Sequence, residues 1–284
     1  MRYTIKTFNE KFPDDDTCLN YLFEQAYGDM QACPKCGIVE PSYYRVKNRK
    51  CFECKDCGNQ IHPLANTIFH KSSTPLRSWF YIIYLFSVAK NGVSAKEVER
   101  HLGVTYKCAW RIAKQVRELM NQETGRLTGI VETDETYIGG RKRGKDITFQ
   151  DKEIVFGMVE RGGKVKASHV RSAGARVLLP RLQESIANGA TIYSDQARVY
   201  STLKRLGYLH DSVNHSIGEY GRGVVHTNTI EGFWGQLKRS IDGTYHCVSP
   251  KYLQSYVNEF VYRYNYRTQP VFPILIASAA RRVQ

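Results

Sequence analysis

The sequence lacks an apolar run long enough to cross a bilayer. Its longest apolar run, at residues 79–89, is about half of the ~20 residues that a transmembrane helix needs. The N-terminal segment MRYTIKTFNEKFPDDD contains scattered charges and no apolar core of a secretion signal. We therefore expect a cytoplasmic protein without a membrane partner, in which residues 79–89 form a buried helix.

Acidic residues are scarce relative to basic ones. There are 27 Asp and Glu against 41 Lys and Arg in 284 residues, which gives a formal charge of +14. Such an excess indicates a polyanionic partner, and nucleic acid is the leading candidate. Because 42% of the residues are hydrophobic and 12% are aromatic, wholesale disorder is excluded. The basic charge is therefore expected on folded surface.

The chain also has no internal repeat, low-complexity tract or long linker, so changes in residue pattern must mark its regions. An N-terminal helical segment is predicted over residues 1–30, and a cysteine-containing region follows over 31–72. Residues 73–125 have a helical pattern, whereas 126–284 alternate between strand-like runs and helices. The sequence thus predicts four regions in this order.

Four cysteines form two closely spaced pairs. Cys33 and Cys36 make one Cys-x-x-Cys pair, Cys54 and Cys57 make the second, and a glycine follows each pair. This spacing predicts a structural zinc ribbon, in which four thiolates form a closed tetrahedral Zn²⁺ site. Because no secretion signal is apparent, metal binding is favoured over disulfides. Cys51 leaves a shifted choice of ligands open.

Two short helices with a glycine between them are predicted after the ribbon. Ser94 and Glu97 fit a capping box at the start of the first helix, Gly103 ends it, and Thr105 caps the second. This layout is typical of a helix-turn-helix, although an ordinary helical hairpin with a solvated basic face is the alternative. The basic residues expected on the exposed side of the second helix, where they would bind DNA, are Lys107, Arg111, Lys114 and Arg117.

The strand-like runs after residue 126 end in carboxylates. Residues 129–135 are predicted to form a strand that carries Asp134, and residues 190–195 a buried strand that ends at Asp195. A hairpin and a helix are expected between them, and a later helix carries Glu231. This order predicts an α/β domain like ribonuclease H, preceded by the zinc ribbon and the helix-turn-helix-like helical domain.

Convergence of Asp134, Asp195 and Glu231 would suit phosphodiester chemistry. Two divalent ions roughly 3.5–4 Å apart activate the attacking oxygen and stabilise the leaving one. Hard cations such as Mg²⁺ prefer carboxylate oxygens. A single acid is more often a surface group or a helix cap, but three acids in this order of elements indicate a site for two Mg²⁺ or Mn²⁺ ions.

Two motifs resemble those of a known family. The runs ETDETYIGG at residues 132–140 and HTNTIEGFW at residues 226–234 are similar to signatures of insertion-sequence DDE transposases related to the Merlin superfamily. The resemblance extends from the cysteine pairs to residues 265–267. Residues 196–230 separate Asp195 from Glu231, a spacing that is familiar from DDE transposases and integrases.

The resemblance implies that Asp134, Asp195 and Glu231 are the catalytic, metal-binding residues. Asn228 is the rival of Glu231 for the third position, because some relatives of this class use Asn there. Lys238 lies two helical turns after Glu231, on the same helix face, and would hold a phosphate of the transposon end.

Further contacts with DNA are expected around these acids. Arg141, Lys142 and Arg143 occupy a glycine-rich loop and are predicted either to grip phosphates near the cleavage site or to lie in solvent. Trp234 is predicted either to stack on a displaced base or to pack in the core.

The function implied is that of a DNA transposase. Such an enzyme would bind the terminal inverted repeats of its element in the nucleoid, expose 3′-OH ends by cleavage and join them to target DNA by two-metal-ion transesterification. Action on two ends implies at least a homodimer on DNA. A DNA-binding regulator derived from a transposase and a metal-dependent nuclease without strand transfer remain the alternatives.

Overall fold

The computed structural model describes residues 3–121, 124–139, 152–195, 197–213 and 221–281. Two compact units can be distinguished within the chain. The first consists of Met1–Ala89, Val93–Leu119 and Thr268–Gln284, and the second of Lys90–Gly92 and Met120–Arg267. Among the described residues, no helix combines the length and the apolar character that spanning a membrane requires.

The first unit begins with helices α1 (Ile5–Lys11) and α2 (Asp15–Tyr27). The start of α2 is capped by Asp14, whose Oδ1 accepts hydrogen bonds from the backbone N–H and the hydroxyl of Thr17, both at 2.8 Å. Helix α3 (Leu76–Val88) contains most of the predicted buried run. Its aromatic and aliphatic side chains, including the fully buried Trp79, form a large part of the core of this unit.

Three short antiparallel strands of the first unit flank the second cysteine pair. They are β1 (Tyr43–Arg45), β2 (Phe52–Cys54) and β3 (Gln60–Ile61), in the order β1-β2-β3. Cys54 ends β2 and Cys57 lies in the turn before β3. Phe52 of β2 stacks on Phe23 of α2, with ring centroids 4.0 Å apart. The strands are thereby packed against α2 through aromatic side chains.

The last helix, α9 (Val271–Ala280), packs in the first unit, whereas the sequence pattern grouped it with residues 126–284. Its Phe272 ring lies 6.0 Å from that of Phe8, 5.8 Å from that of Phe12 and 6.1 Å from that of Tyr84. Because α9 is apolar around its whole circumference (VFPILIASAA), it needs burial on several sides. The aromatic cluster of α1 and α3 provides that burial.

Helices α4 (Ala95–Leu102) and α5 (Tyr106–Leu119) form the predicted pair. Ser94 Oγ accepts the backbone N–H of Glu97 at 3.2 Å, and Thr105 Oγ1 accepts that of Cys108 at 3.4 Å. Gly103 ends α4 with a left-handed φ of +63°, a conformation that glycine adopts at no steric cost. The local signals in the sequence therefore located both helices.

Arg117 on α5 is buried, so the prediction that it lies on the exposed side of the helix was wrong. Its guanidinium donates a hydrogen bond to the Val93 carbonyl at 3.0 Å and lies over the Phe86 ring, 5.4 Å from its centroid. Arg117 follows the buried Ala113 by four residues and therefore shares its helix face. The carbonyl and the ring compensate the buried charge.

The second unit is built on a five-stranded sheet with the order β6-β5-β4-β7-β8. Strands β4, β5 and β6 are antiparallel neighbours, whereas β7 is parallel to both β4 and β8. This is the ribonuclease-H-like arrangement that the sequence predicted. The strands are β4 (Ile130–Ile138), β5 (Glu153–Glu160), β6 (Val165–Val170), β7 (Thr191–Asp195) and β8 (Leu209–Val213).

Helices cover both faces of this sheet. Phe156 and Met158 of β5 belong to one hydrophobic cluster, which includes α6 (Ala175–Ser185) and the 3-10 segment Arg198–Leu206. Val155 and Val159 belong to the other, which includes α7 (Asn228–Ser240), the π-helical turn Ile241–Tyr245 and α8 (Pro250–Asn265). Strand side chains alternate between faces, so β5 contributes to both clusters and the unit has three layers.

Candidate zinc site and catalytic centre

The two cysteine pairs converge in the first unit. Sγ atoms of Cys33, Cys36, Cys54 and Cys57 all lie within 4.8 Å of one another. Each pair sits in a tight turn, in which the N–H of the following glycine donates to the carbonyl of the first cysteine at 2.9 and 3.0 Å. Cys51 is buried but is not a member of this group. The four cysteines that the fold brings together are therefore those that the knuckle spacing predicted as ligands.

The electrostatics of these thiols favour a bound cation. Backbone hydrogen bonding at Cys36 lowers the pKa of Cys33 to about 6. Desolvation and the neighbouring thiols raise the pKa of Cys57 to about 12. Four sulfurs this close cannot all ionise unless a cation balances their charge. A tetrahedral cluster of four cysteines is the ligand set of structural Zn²⁺.

In the second unit, Asp134 lies in the middle of β4, which continues to Ile138 beyond the strand predicted over residues 129–135. Asp195 is the last residue of the neighbouring parallel strand β7, as predicted. The parallel ladder between β4 and β7 has Glu132 and Tyr193 as its last pair, and each aspartate follows two residues later on its own strand. Both aspartates line a cavity of about 310 Å³. The described residues that line it are Asp134, Glu135, Tyr137, Ala173, Asp195, Ala197, Arg198 and Val199.

This arrangement concentrates negative charge. Burial, followed by the charge of Asp195 and more weakly that of Glu231, raises the pKa of Asp134 to about 6. Like charges that are held together in a partly buried site resist ionisation, and a divalent cation between them removes that cost. Two carboxylates in one cavity are oxygen donors of the kind that Mg²⁺ and Mn²⁺ prefer.

Trp234 packs in the core, and it also contacts Asp134 directly. Its Nε1–H donates to Asp134 Oδ2 at 3.0 Å, while the side chain is only 4% exposed. The indole ring lies against β5 at Gly157, the residue that pairs with Asp134 in the β4–β5 ladder. A Cβ at Gly157 would lie 2.5 Å from Trp234 ring carbons, so glycine is needed there. Of the two roles predicted for Trp234, the structure places it in the core.

Loss of this hydrogen bond is expected to impair the site without unfolding the unit. We predict that Trp234→Phe weakens any metal-dependent DNA cleavage about 10–100-fold, because a partner that orients a metal ligand typically contributes that much. The measurement is initial rate against Mn²⁺ concentration. Phe233→Leu, a neighbouring core change that leaves the Asp134 bond intact, is the control. Equal losses in both variants would assign Trp234 a packing role only.

Glu132 anchors the start of α7 to β4. Its fully buried carboxylate accepts hydrogen bonds from the backbone N–H groups of Thr229 (2.7 Å) and Ile230 (3.0 Å). Arg161 Nε donates to the same carboxylate at 2.6 Å, and the His226 ring nitrogen lies 3.3 Å away. A negative charge at a helix N-terminus is favourable, and the arginine pairs with it. Glu132 thereby fixes the turn of α7 that carries Glu231.

Removing this buried carboxylate is expected to destabilise the second unit strongly. Glu132→Ala would leave Arg161 and two helix N–H groups without their acceptor, a change that typically costs about 3–5 kcal/mol. Chemical denaturation measures this loss. Asp211→Ala is the matched control, because its ion pair with Arg222 is half exposed and should contribute only about 0–1 kcal/mol. Similar losses in the two variants would contradict the anchoring role.

Glu231 lies in the first turn of α7, where its Oε1 accepts the Thr227 hydroxyl at 2.7 Å. Its charge acts on Asp134, but it is not among the residues that line the cavity. Asn228 is the first residue of the helix and is exposed. Lys238 is exposed in the last turn, two turns from Glu231 as predicted.

Glu135 is a cavity residue that the sequence analysis did not single out. It points to the side of β4 opposite Asp134 and accepts the Tyr200 hydroxyl at 2.8 Å. Burial is the main cause that raises the pKa of Glu135 to about 7. The sequence showed only that this acid follows Asp134, and its partner is distant along the chain. Strand alternation could have assigned its face but not its contact.

The predicted basic DNA contacts lie in different parts of the chain. Lys107 is exposed on α5, Lys114 pairs with Glu118 at 3.3 Å, and Arg111 lies over the Trp79 ring at 5.8 Å. The loop residues predicted to grip phosphates lie outside the described residues, and these are Arg141, Lys142 and Arg143.

Comparisons with known proteins agree with this architecture. Residues 126–265 match the family described as the ISXO2-like transposase domain, and residues 13–60 match the transposase zinc-ribbon domain. Together the two matches cover more than half of the chain. An uncharacterised protein in transposable element ISH50 of Halobacterium salinarum is 28% identical, over 91% of this chain and 92% of its own length.

One solved structure also shows a limited likeness. It is a cryo-EM structure of the simian T-cell lymphotropic virus intasome in complex with the PP2A regulatory subunit B56 gamma. The match has 13% identity and a TM-score of 0.32, and it covers 59% of this chain and 63% of the other.

Proposed function

Because the chain belongs to the insertion-sequence DDE transposases that carry a zinc ribbon, we propose that it cuts DNA at the ends of a mobile element and joins those ends to target DNA. The observation that carries the proposal is that Asp134 on β4 and Asp195 at the end of the neighbouring parallel strand β7 line one cavity. Glu231, whose charge reaches Asp134, is the third acid.

We assign metal binding to Asp134, Asp195 and Glu231. Bound Mg²⁺ or Mn²⁺ ions would supply Lewis-acid activation of the attacking oxygen and charge stabilisation of the leaving one. Trp234 holds one carboxylate oxygen of Asp134, and Glu132 holds the helix turn that bears Glu231. Lys238, which is exposed on the same helix, would bind a phosphate of the element end.

The proposed reaction has two phosphoryl-transfer steps. In the first, water attacks a phosphorus at the element end, the P–O3′ bond breaks, and the leaving oxygen takes a proton to become a free 3′-OH. In the second, this hydroxyl loses its proton and attacks a phosphorus of the target strand. A new P–O3′ bond forms and the target 3′-oxygen leaves.

The DNA partners proposed are the terminal inverted repeats and the target duplex. The ribbon and the α4–α5 pair would bind the repeats, since α5 presents Lys107 to solvent. A homodimer or larger assembly on DNA is proposed because two element ends must be processed together. Its place of action would be the nucleoid.

A strand-transfer assay tests the proposal. Labelled element-end duplex is incubated with the full zinc-loaded chain, target plasmid and Mg²⁺ or Mn²⁺, and the products are separated by size. Nicked ends together with joined product are expected. Cleavage without joining would identify a nuclease, and binding without either would identify a regulator. Either of these results would overturn the transposase assignment.

A further inference from the structure

A second cavity lies in the first unit, and its described lining includes none of the predicted zinc ligands or catalytic acids. Its volume is about 280 Å³, just below the roughly 300–1,000 Å³ of pockets for drug-sized ligands. It therefore suits a small group rather than a large apolar molecule. The described residues that line it are Lys50, His62, Leu64, Ala65, Phe69, His70, Lys71 and Ser72.

The polar part of this lining is cationic or hydrogen-bond donating. Two lysines and two histidines contribute to it, and no carboxylate is among the described lining residues. Lys50 and Lys71 are exposed, and no ion pair with a carboxylate occurs for either one within the part of the chain that the structure describes. A site of this kind attracts an anion and repels a metal cation.

His70 is set up as a donor. Its Nδ1 accepts a hydrogen bond from the Asn66 backbone N–H at 3.3 Å. Since Nδ1 acts as an acceptor there, the ring proton must reside on Nε2. Lys71, the next residue, has a left-handed backbone with φ of +53°, a conformation that costs a non-glycine residue free energy.

The segment with His70 and Lys71 is tied to the helices behind it. Ser72 Oγ accepts hydrogen bonds from Trp79 Nε1 at 3.0 Å and from the Thr74 backbone N–H at 3.2 Å. Arg111 of α5 lies over the same tryptophan ring. The cavity is therefore fixed next to the helix on which the sequence predicted DNA contacts.

We propose that Lys50, His62, His70 and Lys71 bind a phosphate of the DNA backbone. This inference rests on the proposed function in that it assumes a DNA-binding chain. The apolar part of the lining, which includes Leu64 and the buried Phe69, favours a backbone phosphate over free phosphate. In DNA a deoxyribose with an apolar face adjoins each phosphate, whereas free phosphate offers nothing to such a surface.

The salt dependence of DNA binding tests this site. Full zinc-loaded chain is titrated into a labelled duplex of about 30 base pairs and arbitrary sequence, between about 50 and 200 mM NaCl and without divalent metal. Lys50→Gln with Lys71→Gln should bind about tenfold more weakly. The magnitude of the slope of log K against log salt should fall by about 0.9, the contribution of one phosphate contact. His70→Ala should weaken binding about threefold through loss of its donor.

A matched double variant separates this site from general electrostatics. Lys6→Gln with Lys11→Gln removes the same charge from α1 of the same unit, and its slope should stay near that of the wild type. Equal slopes in the two double variants, with unchanged melting temperatures, would overturn the proposal. Inorganic phosphate binding that is lost in Lys50→Gln with Lys71→Gln, without a slope change, would assign the cavity to a free anion and also overturn it.

This test is independent of catalysis. One outcome is that the wild-type chain and the two double variants show the expected difference in salt slope while the wild type neither cuts nor joins DNA. In that case the phosphate site stands and the proposed function fails. If the chain transfers strands while the two double variants have equal slopes, the proposed function stands and the phosphate site fails.

Discussion

Asp134→Asn, Asp195→Asn and Glu231→Gln are each expected to reduce cleavage at an element end by more than about 100-fold, which is the upper effect of losing a residue that only orients a metal ligand. Duplex binding should persist, because the predicted DNA contacts are basic side chains elsewhere. Gel-based cleavage and anisotropy on the same preparations measure the two properties. Retained cleavage in any variant would remove that residue from the proposed metal site.

Asp134→Asn should also raise the melting temperature of the zinc-loaded protein in the absence of Mg²⁺ and Mn²⁺. Burial and the charge of Asp195 hold the pKa of Asp134 at about 6, above its unfolded value. The folded state therefore binds the proton more tightly, so the carboxyl favours folding at low pH and opposes it once it ionises above that pKa. The amide removes this penalty at neutral pH.

Two controls sharpen the test. Asp211→Asn on β8 makes the same chemical change at a half-exposed ion pair and should alter neither cleavage nor melting temperature. Asn228→Ala separates the rivals for the third position. Full cleavage by Glu231→Gln together with none by Asn228→Ala would assign that position to Asn228.

The acids in and around the cavity could not all be predicted equally well from the sequence. Period-two alternation and flanking glycines locate the strand that contains Asp134 and the strand that ends at Asp195. Because these strands are parallel neighbours, both carboxylates reach one cavity. Glu132 has no such signal, since its partners at the start of α7 and at Arg161 are assembled only by the fold. A carboxylate that caps a distant helix has the same local sequence pattern as a surface acid.

Errors in the helical regions have a comparable origin. Helical spacing places Arg117 on the same face of α5 as the buried Ala113. A charged side chain is nevertheless normally predicted to be exposed to solvent, even on an otherwise apolar face. The burial of Arg117 depends on the Val93 carbonyl and the Phe86 ring, which lie outside α5. The place of α9 likewise depends on an aromatic cluster from the opposite end of the chain. Local pattern fixes the elements, and non-local contacts decide where they pack.

Loss of zinc is expected to unfold the ribbon while leaving the sheet of the second unit intact. Structural Zn²⁺ contributes an apparent binding free energy of about 10–16 kcal/mol near pH 7, far more than three short strands can supply. Cys54→Ser removes one of four thiolates that lie within 4.8 Å of one another. Zinc content should fall well below one ion per chain, and backbone amides of β1–β3 should exchange rapidly.

Cysteines outside the group provide the comparison. Cys247→Ser replaces an exposed thiol and should retain a full equivalent of zinc, and Cys51→Ser should do so as well. Full zinc content in Cys54→Ser with loss in Cys51→Ser would instead establish the shifted ligand set. Amide protection in β4–β8 should survive in every variant, because the two hydrophobic clusters that cover that sheet contain no zinc ligand. Loss of the ribbon alone would thus show that the sheet of the second unit folds without bound zinc.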